Sequence, residues 1–303
     1  MTDNVSPLPI WDRHDPADLF EFDAPGGDVY VPRCYEPNRG GGMFGGQLLG
    51  QALAAASRTV DDRALHAFQV MFLRPGVGER ALAFRVERTR DGRGYSSRRV
   101  TASQGPTELF RLDASFQAPA QGFEHQEAGM PDVPGPEGLA TLAEFAARQG
   151  IEVNRATRER FFGEHPIEFR PVVPEDLLLR RAARPNLAHW LRLRVPVPDR
   201  PGLAESLLAY ASDWLPPFVT GLVHVASMFD PAYFASTLNH AMWFHRRPPW
   251  DGWLLCEAQS PIAAAGRGVT HAQYFTRDGV LVATLHQEAL LQQRMPAAAP
   301  VDP

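Results

Sequence analysis

The rhythm of hydrophobic and polar positions changes several times along the chain. Residues 1 to 42 are rich in Pro, Gly and Asp and show no sustained period, so they are expected to form a lead-in segment, with a short helix around Pro16 to Phe20. From Phe44 the pattern becomes helical, because Leu48, Leu49, Ala52, Leu53 and Ala56 recur at three- and four-residue spacing up to Ser57. Such an Ala-rich helix behind a glycine-rich start can pack closely. Four extended stretches follow, Leu65 to Arg74, Arg80 to Arg90, Tyr95 to Ser103 and Glu108 to Gln117. Arg74-Pro75-Gly76, Arg90-Asp91-Gly92 and Gln104-Gly105-Pro106 punctuate them, which predicts strands joined by tight turns. The unit is one helix followed by an antiparallel meander.

Residues 119 to 175 contain Pro131, Pro134 and Pro136, then a helix-like Gly138 to Arg148, and read as a linker with local structure of its own. The earlier order then returns. Strand-like Leu187 to Val197 leads into an Ala/Leu helix, Leu203 to Asp213, stopped by Pro216-Pro217. Strand candidates Leu238 to Arg246, Trp253 to Ser260, Arg267 to Thr276 and Val280 to Leu290 complete it, with a turn at Arg277-Asp278-Gly279. Similar words recur at nearly constant distance. Met71 to Arg74 matches Trp243 to Arg246 (246−74 = 172), Arg98 to Gln104 matches Arg267 to Gln273 (273−104 = 169), and Ala114 to Gln117 matches Thr284 to Gln287 (287−117 = 170). A duplicated helix-plus-sheet unit is therefore expected. A long helix wrapped by a curved antiparallel sheet is a hotdog, so the fold class is α+β, a tandem (double) hotdog. Residues 1–118 would hold the lead-in and first unit, 119–175 the linker, and 176–303 the second unit.

Length and composition agree with two folded units. The chain has 303 residues, 44% of them hydrophobic and 21% charged, which is ordinary for globular domains. A net charge of −5 lacks the basic surplus expected of a nucleic-acid partner. There is no apolar run of the roughly 18 residues a membrane span needs, and Met1 to Pro16 is too polar for a secretory leader. Cys34 and Cys256 stand far apart, so a disulfide framework is not indicated and a reducing cytoplasm fits. All 30 basic residues are Arg, which reads as genome composition bias and not as function, and a bacterial source is expected.

Taken together, several words resemble the acyl-CoA thioesterase II family of double-hotdog acyl-CoA hydrolases. In the first half these are Phe44-Gly45-Gly46-Gln47 with Gly50-Gln51-Ala52, Phe72-Leu73-Arg74-Pro75-Gly76, Val86-Glu87-Arg88 with Arg90-Asp91-Gly92, and Ala114-Ser115-Phe116-Gln117. In the second they are Leu208 to Asp213, His240 to Arg246 and Gln287-Glu288. The resemblance runs from Phe44 to Leu290. It implies hydrolysis of fatty acyl-CoA to fatty acid and CoA by an activated water, and with no metal-ligand or nucleotide constellation in the sequence no cofactor and no metal are expected. It implies Asp213, Thr237 and Gln287 as the catalytic residues and further association of chains into a homo-oligomer. Asn239 stands where the family usually has Asp, and Ala241 replaces a common Ser.

The three side chains suit the reaction. A thioester carbonyl accepts direct attack by an oriented water. Asp213 can take the water proton, while the Thr237 hydroxyl and Gln287 amide supply donors and acceptors for water or oxyanion. Each has a plainer reading. Asp213 could end its helix, Thr237 could be an ordinary strand residue with Ser236 as the hydroxyl instead, and Gln287 has an apparent counterpart in Gln117. Gly40 to Gly45 fits GxGxxG but follows no strand, so it reads as close helix-to-sheet packing with free backbone N–H groups near a bound thioester. His66, His240 and His245 lack metal-ligand spacing and read as packed strand histidines. A G-x-S-x-G elbow is missing from the sequence. Arg98, Arg99 and Arg267 are either CoA-phosphate contacts or solvated strand charge. Two competing functions remain: a non-catalytic acyl-CoA-binding double hotdog, kept open by Asn239, and a thioester dehydratase, which would need a His paired with a carboxylate.

Overall fold

A computed structural model describes residues 8–230 and 232–293. Its first half contains β1 (Phe22–Gly26), β2 (Val29–Pro32), α1 (Gly45–Ser57), β3 (Ala64–Phe72), β4 (Ala83–Asp91), β5 (Tyr95–Gln104) and β6 (Thr107–Gln117). The connecting stretch carries α2 (Leu142–Gln149), α3 (Arg155–Thr157), a π-helical turn (Arg158–Phe162), β7 (Ile167–Pro171) and α4 (Glu175–Leu178). The second half follows with β8 (Asn186–Leu193), α5 (Leu203–Ala211), β9 (Tyr233–Phe244), β10 (Leu254–Ala264), β11 (Arg267–Thr276) and β12 (Leu281–Gln293).

All twelve strands join one sheet in the order β1-β2-β4-β5-β6-β3-β9-β12-β11-β10-β8-β7. That order is a palindrome of two similar halves meeting at β3 and β9, which pair antiparallel with Gln69 opposite Ala241. Side chains alternate along the strands predicted from sequence. On β5, Ser96, Arg98, Val100, Ala102 and Gln104 face inward, and on β6 Leu112, Ala114 and Phe116 do so. The inner face wraps α1 and α5, so nearly every residue of both helices is buried.

Glycines set how closely the helices approach, and the glycine face of α1 meets α5 rather than the sheet expected from sequence. A Cβ on Gly46 would lie 2.5 Å from the Tyr210 carbonyl oxygen, and one on Gly50 would lie 2.8 Å from that of Ser206. No side chain fits in those gaps. The lead-in is also more structured than expected. β1 and β2 form a hairpin whose central residues, Gly27 and Asp28, both have positive φ, the geometry of a type I′ turn.

The ladders correct the internal repeat. Val70 pairs with Leu112 on β3/β6, and Met242 pairs with Leu285 on β9/β12, giving 242−70 = 172 and 285−112 = 173. β-bulges fall at matching places, near His66 and Leu238 and near Thr89 and Ser260. The displacement is thus 172 to 173 throughout, and the distances of 169 and 170 taken from similar words had slipped by three residues. Gln287 therefore corresponds to Ala114 (287−173), not Gln117, and Thr237 corresponds to Leu65 (237−172). The first half carries an apolar version of this corner.

Candidate functional site

Asp213 lies just beyond α5, Thr237 on β9 and Gln287 on β12, and the structure brings all three together. The Thr237 hydroxyl donates to Asp213 Oδ1 at 2.8 Å. Gln287 Nε2 donates to the same oxygen at 2.7 Å and to Thr237 Oγ1 at 2.7 Å. Both amide hydrogens are thereby used, which fixes the amide and leaves Gln287 Oε1 buried without a protein partner. That oxygen is a free acceptor beside the carboxylate.

Local backbone makes the arrangement possible. Thr237 and His240 are three residues apart and would face opposite sides of a regular strand. The bulge at Leu238 inserts one residue, so Thr237 opposite Ala289 joins His240 opposite Gln287 on the inner face. Ser236 is exposed, and Asn239 points outward, where its Nδ2 donates to Glu288 Oε2 at 2.8 Å. The substitutions at 239 and 241 are thus off the inner face.

The first half contributes as well, which sequence reasoning had placed only loosely. The backbone N–H of Gly46, in the first turn of α1, hydrogen-bonds the Asp213 carboxylate. A Cβ on Gly45 would come within 2.6 Å of Asp213 Oδ2. The carboxylate thus sits at the positive end of a 13-residue helix. Burial is the largest influence on Asp213 and pushes its pKa up to about 6, opposed by the bonds from Thr237 and Gln287, by Arg160 and by the Gly46 N–H. A carboxyl titrating there is ionised at neutral pH and still basic enough to accept a proton.

The remaining candidates are accounted for by packing. His66, His240 and His245 each meet a hydroxyl, on Ser115, Ser212 and Thr284 respectively. Arg98 is buried and spends its donors on Thr59, Asp91 and the carbonyls of Arg90 and Ser97, so it ties β5 to the end of α1 and is closed to CoA. Arg99 and Arg267 are exposed and paired with Asp113 and Glu288. A cleft of about 640 Å³ opens beside Trp214, lined also by Phe161, His165, Phe169, Leu193 and Leu215; none of the three converging residues lines it. Among the described residues no helix is long and apolar enough to cross a membrane.

Paired helices inside one continuous antiparallel sheet, with a carboxylate, hydroxyl and amide joined beside the seam, define a double-hotdog protein. Comparison with known proteins makes this specific. The profile of the acyl-CoA thioesterase N-terminal domain matches residues 35–117, and that of the acyl-CoA thioesterase C-terminal domain matches residues 136–291. Acyl-CoA thioesterase 2 of Haemophilus influenzae is 32% identical over 82% of this chain and 87% of its own. Human acyl-coenzyme A thioesterase 8 is 33% identical over 82% of this chain and 80% of its own. A crystal structure of an acyl-CoA thioesterase II from Mycobacterium marinum superposes with a TM-score of 0.73 at 34% identity, covering 93% and 99% of the two chains. The chain belongs to the acyl-CoA thioesterase family.

Proposed function

We propose that the protein hydrolyses fatty acyl-CoA to free fatty acid and CoA, with Asp213, Thr237 and Gln287 as its catalytic residues. The observation that carries this reading is the three-way hydrogen-bonded contact among them, made by side chains 24 and 50 residues apart (237−213 and 287−237). Asp213 acts as general base: water attacks the thioester carbonyl carbon while its proton passes to the carboxylate. The tetrahedral adduct then collapses, the C–S bond breaks, and the CoA sulfur leaves with the proton returned by Asp213. Gln287 Oε1 accepts the other water hydrogen, and Thr237 with the Gln287 amide holds the carboxylate in line. The first turn of α1 stabilises the negative charge that develops on the carbonyl oxygen.

In this reading residues 1–118 hold the lead-in and first hotdog, 119–175 the linker, and 176–303 the second hotdog, which supplies the hydrolytic side chains. The reaction takes place in the bacterial cytoplasm, and chains associate further into a homo-oligomer. The test is Asp213→Asn, which keeps the shape and removes the proton acceptor. Release of free thiol from an acyl-CoA should fall by about 10²-fold or more. A folded variant with the parent rate would return the protein to the acyl-CoA-binding alternative.

A further inference from the structure

Arg160 comes from the connecting stretch, a region with no obvious part in the chemistry. Its guanidinium is buried and clamped between two rings, 4.2 Å from the centre of Phe44 and 4.5 Å from that of Trp214. These rings have particular places. Phe44 immediately precedes the Gly45-Gly46 start of α1, and Trp214 immediately follows Asp213, so one cation grips both sides of the contact between Asp213 and Gly46. Arg160 Nη1 donates to the Pro37 carbonyl at 2.7 Å and to Glu36 Oε1 at 3.3 Å. Glu36 is fully buried and knits the same junction: its Oε2 accepts from the Tyr210 hydroxyl, and its backbone carbonyl accepts from Phe44 N–H.

The charges do not balance within this cluster. Arg13 Nη2 also reaches Glu36 Oε1 at 3.0 Å, so two guanidiniums share one carboxylate. One positive charge is left over, and an ionised Asp213 supplies its counterpart. We propose that Arg160 is a positioning residue for the proposed reaction, locking Asp213 against Gly46 across the junction and providing the charge that balances its carboxylate. The inference rests on Asp213 being the general base. Arg160 is also the charged group whose attraction opposes the effect of burial on Asp213. Around the carboxylate, Thr237, Gln287 and the Gly46 N–H are neutral donors, and Tyr274 on β11 is held well above its ordinary value by burial. Around Arg160, Tyr210 is likewise raised and His165 is held down at about 3 by burial, so these groups stay neutral through the assay range.

The experiment is kcat against pH for the full chain with a medium-chain acyl-CoA, alongside thermal melts. Arg160→Gln should move the acid limb up by about one pH unit, and Arg160→Lys should return it most of the way. Glu36→Gln leaves the surplus cation uncompensated and should move the same limb down, so the two substitutions have opposite signs. This second variant decides the matter if Arg160→Gln does not fold. Limbs that superpose on the parent's, with kcat scaled by one factor at all pH values, would show a merely structural role and overturn the proposal. Full activity in Asp213→Asn would instead remove the general-base reading on which it rests.

Discussion

Replacing Asp213 with Asn should remove a pH-dependent cost to stability and cut activity by about 10²-fold or more, and the two effects have the same origin. Burial moves the carboxyl from 3.8 to about 6. At 1.36 kcal/mol per pH unit, its ionised form therefore costs the folded state about 3 kcal/mol. The sign follows from proton binding: between those two values the folded chain holds the proton more tightly than the unfolded chain, so stability falls as pH rises. The cost sets in as pH rises through about 4 and is complete above about 7. The Asp213→Asn side chain escapes it but turns an amide N–H toward Gly46 N–H, a mismatch of about 1–3 kcal/mol that does not vary with pH. Comparing variant with parent by urea denaturation at pH 4 and pH 7.5 cancels the mismatch and every other titrating group. The stability difference should shift in favour of the variant by about 2.4 kcal/mol between the two conditions. A difference that stays flat would mean that Asp213 does not titrate near 6, and the general-base assignment would lose its electrostatic support.

Thr237→Ala and Gln287→Ala should each lower kcat by about 10- to 100-fold with little change in KM, because their bonds orient the base in the transition state; a change confined to KM would contradict this. Gly46→Ala places a methyl 2.5 Å from the Tyr210 carbonyl oxygen, and the urea midpoint should report a loss of about 1–3 kcal/mol. An unchanged midpoint would show the helices to be less tightly apposed. Dialysis against a chelator should leave thiol release unchanged, and activity lost then restored by zinc would assign the histidines a different role.

Turn signals between apolar-rich stretches made most strands legible, and the helical period and Ala/Leu content did the same for α1 and α5. The β1/β2 hairpin was hidden because its Gly-Gly-Asp turn lies in a stretch whose prolines and glycines read as a loop. β7 was hidden although Ile167-Glu168-Phe169-Arg170 alternates, because the run is only five residues long and ends at Pro171 inside a proline-bearing linker. Register was misread because similar words need not occupy similar places: Arg98 points inward and is locked by Thr59, whereas Arg267 lies on the surface with Glu288. Asp213, Thr237 and Gln287 were reachable through resemblance, but the bulge at Leu238 that turns Thr237 inward leaves no trace in residue type. The Phe-Gly-Gly start of α1 did signal close approach, and only the fold shows that Asp213 is what approaches. Arg160, within the run Arg155 to Arg160, looks like a solvated charged segment.

The seam between β3 and β9 has a consequence for how such a protein can change. In a symmetric pair of identical subunits every substitution appears twice, so a residue that helps one copy of a site also alters the other. Joining the copies in one polypeptide removes that constraint. Leu65 and Ala114 stand where Thr237 and Gln287 stand in the other half, while the glycines of α1 have become part of the surroundings of Asp213. One half is free to specialise as the support of the other, and a mutation in either is tried only once.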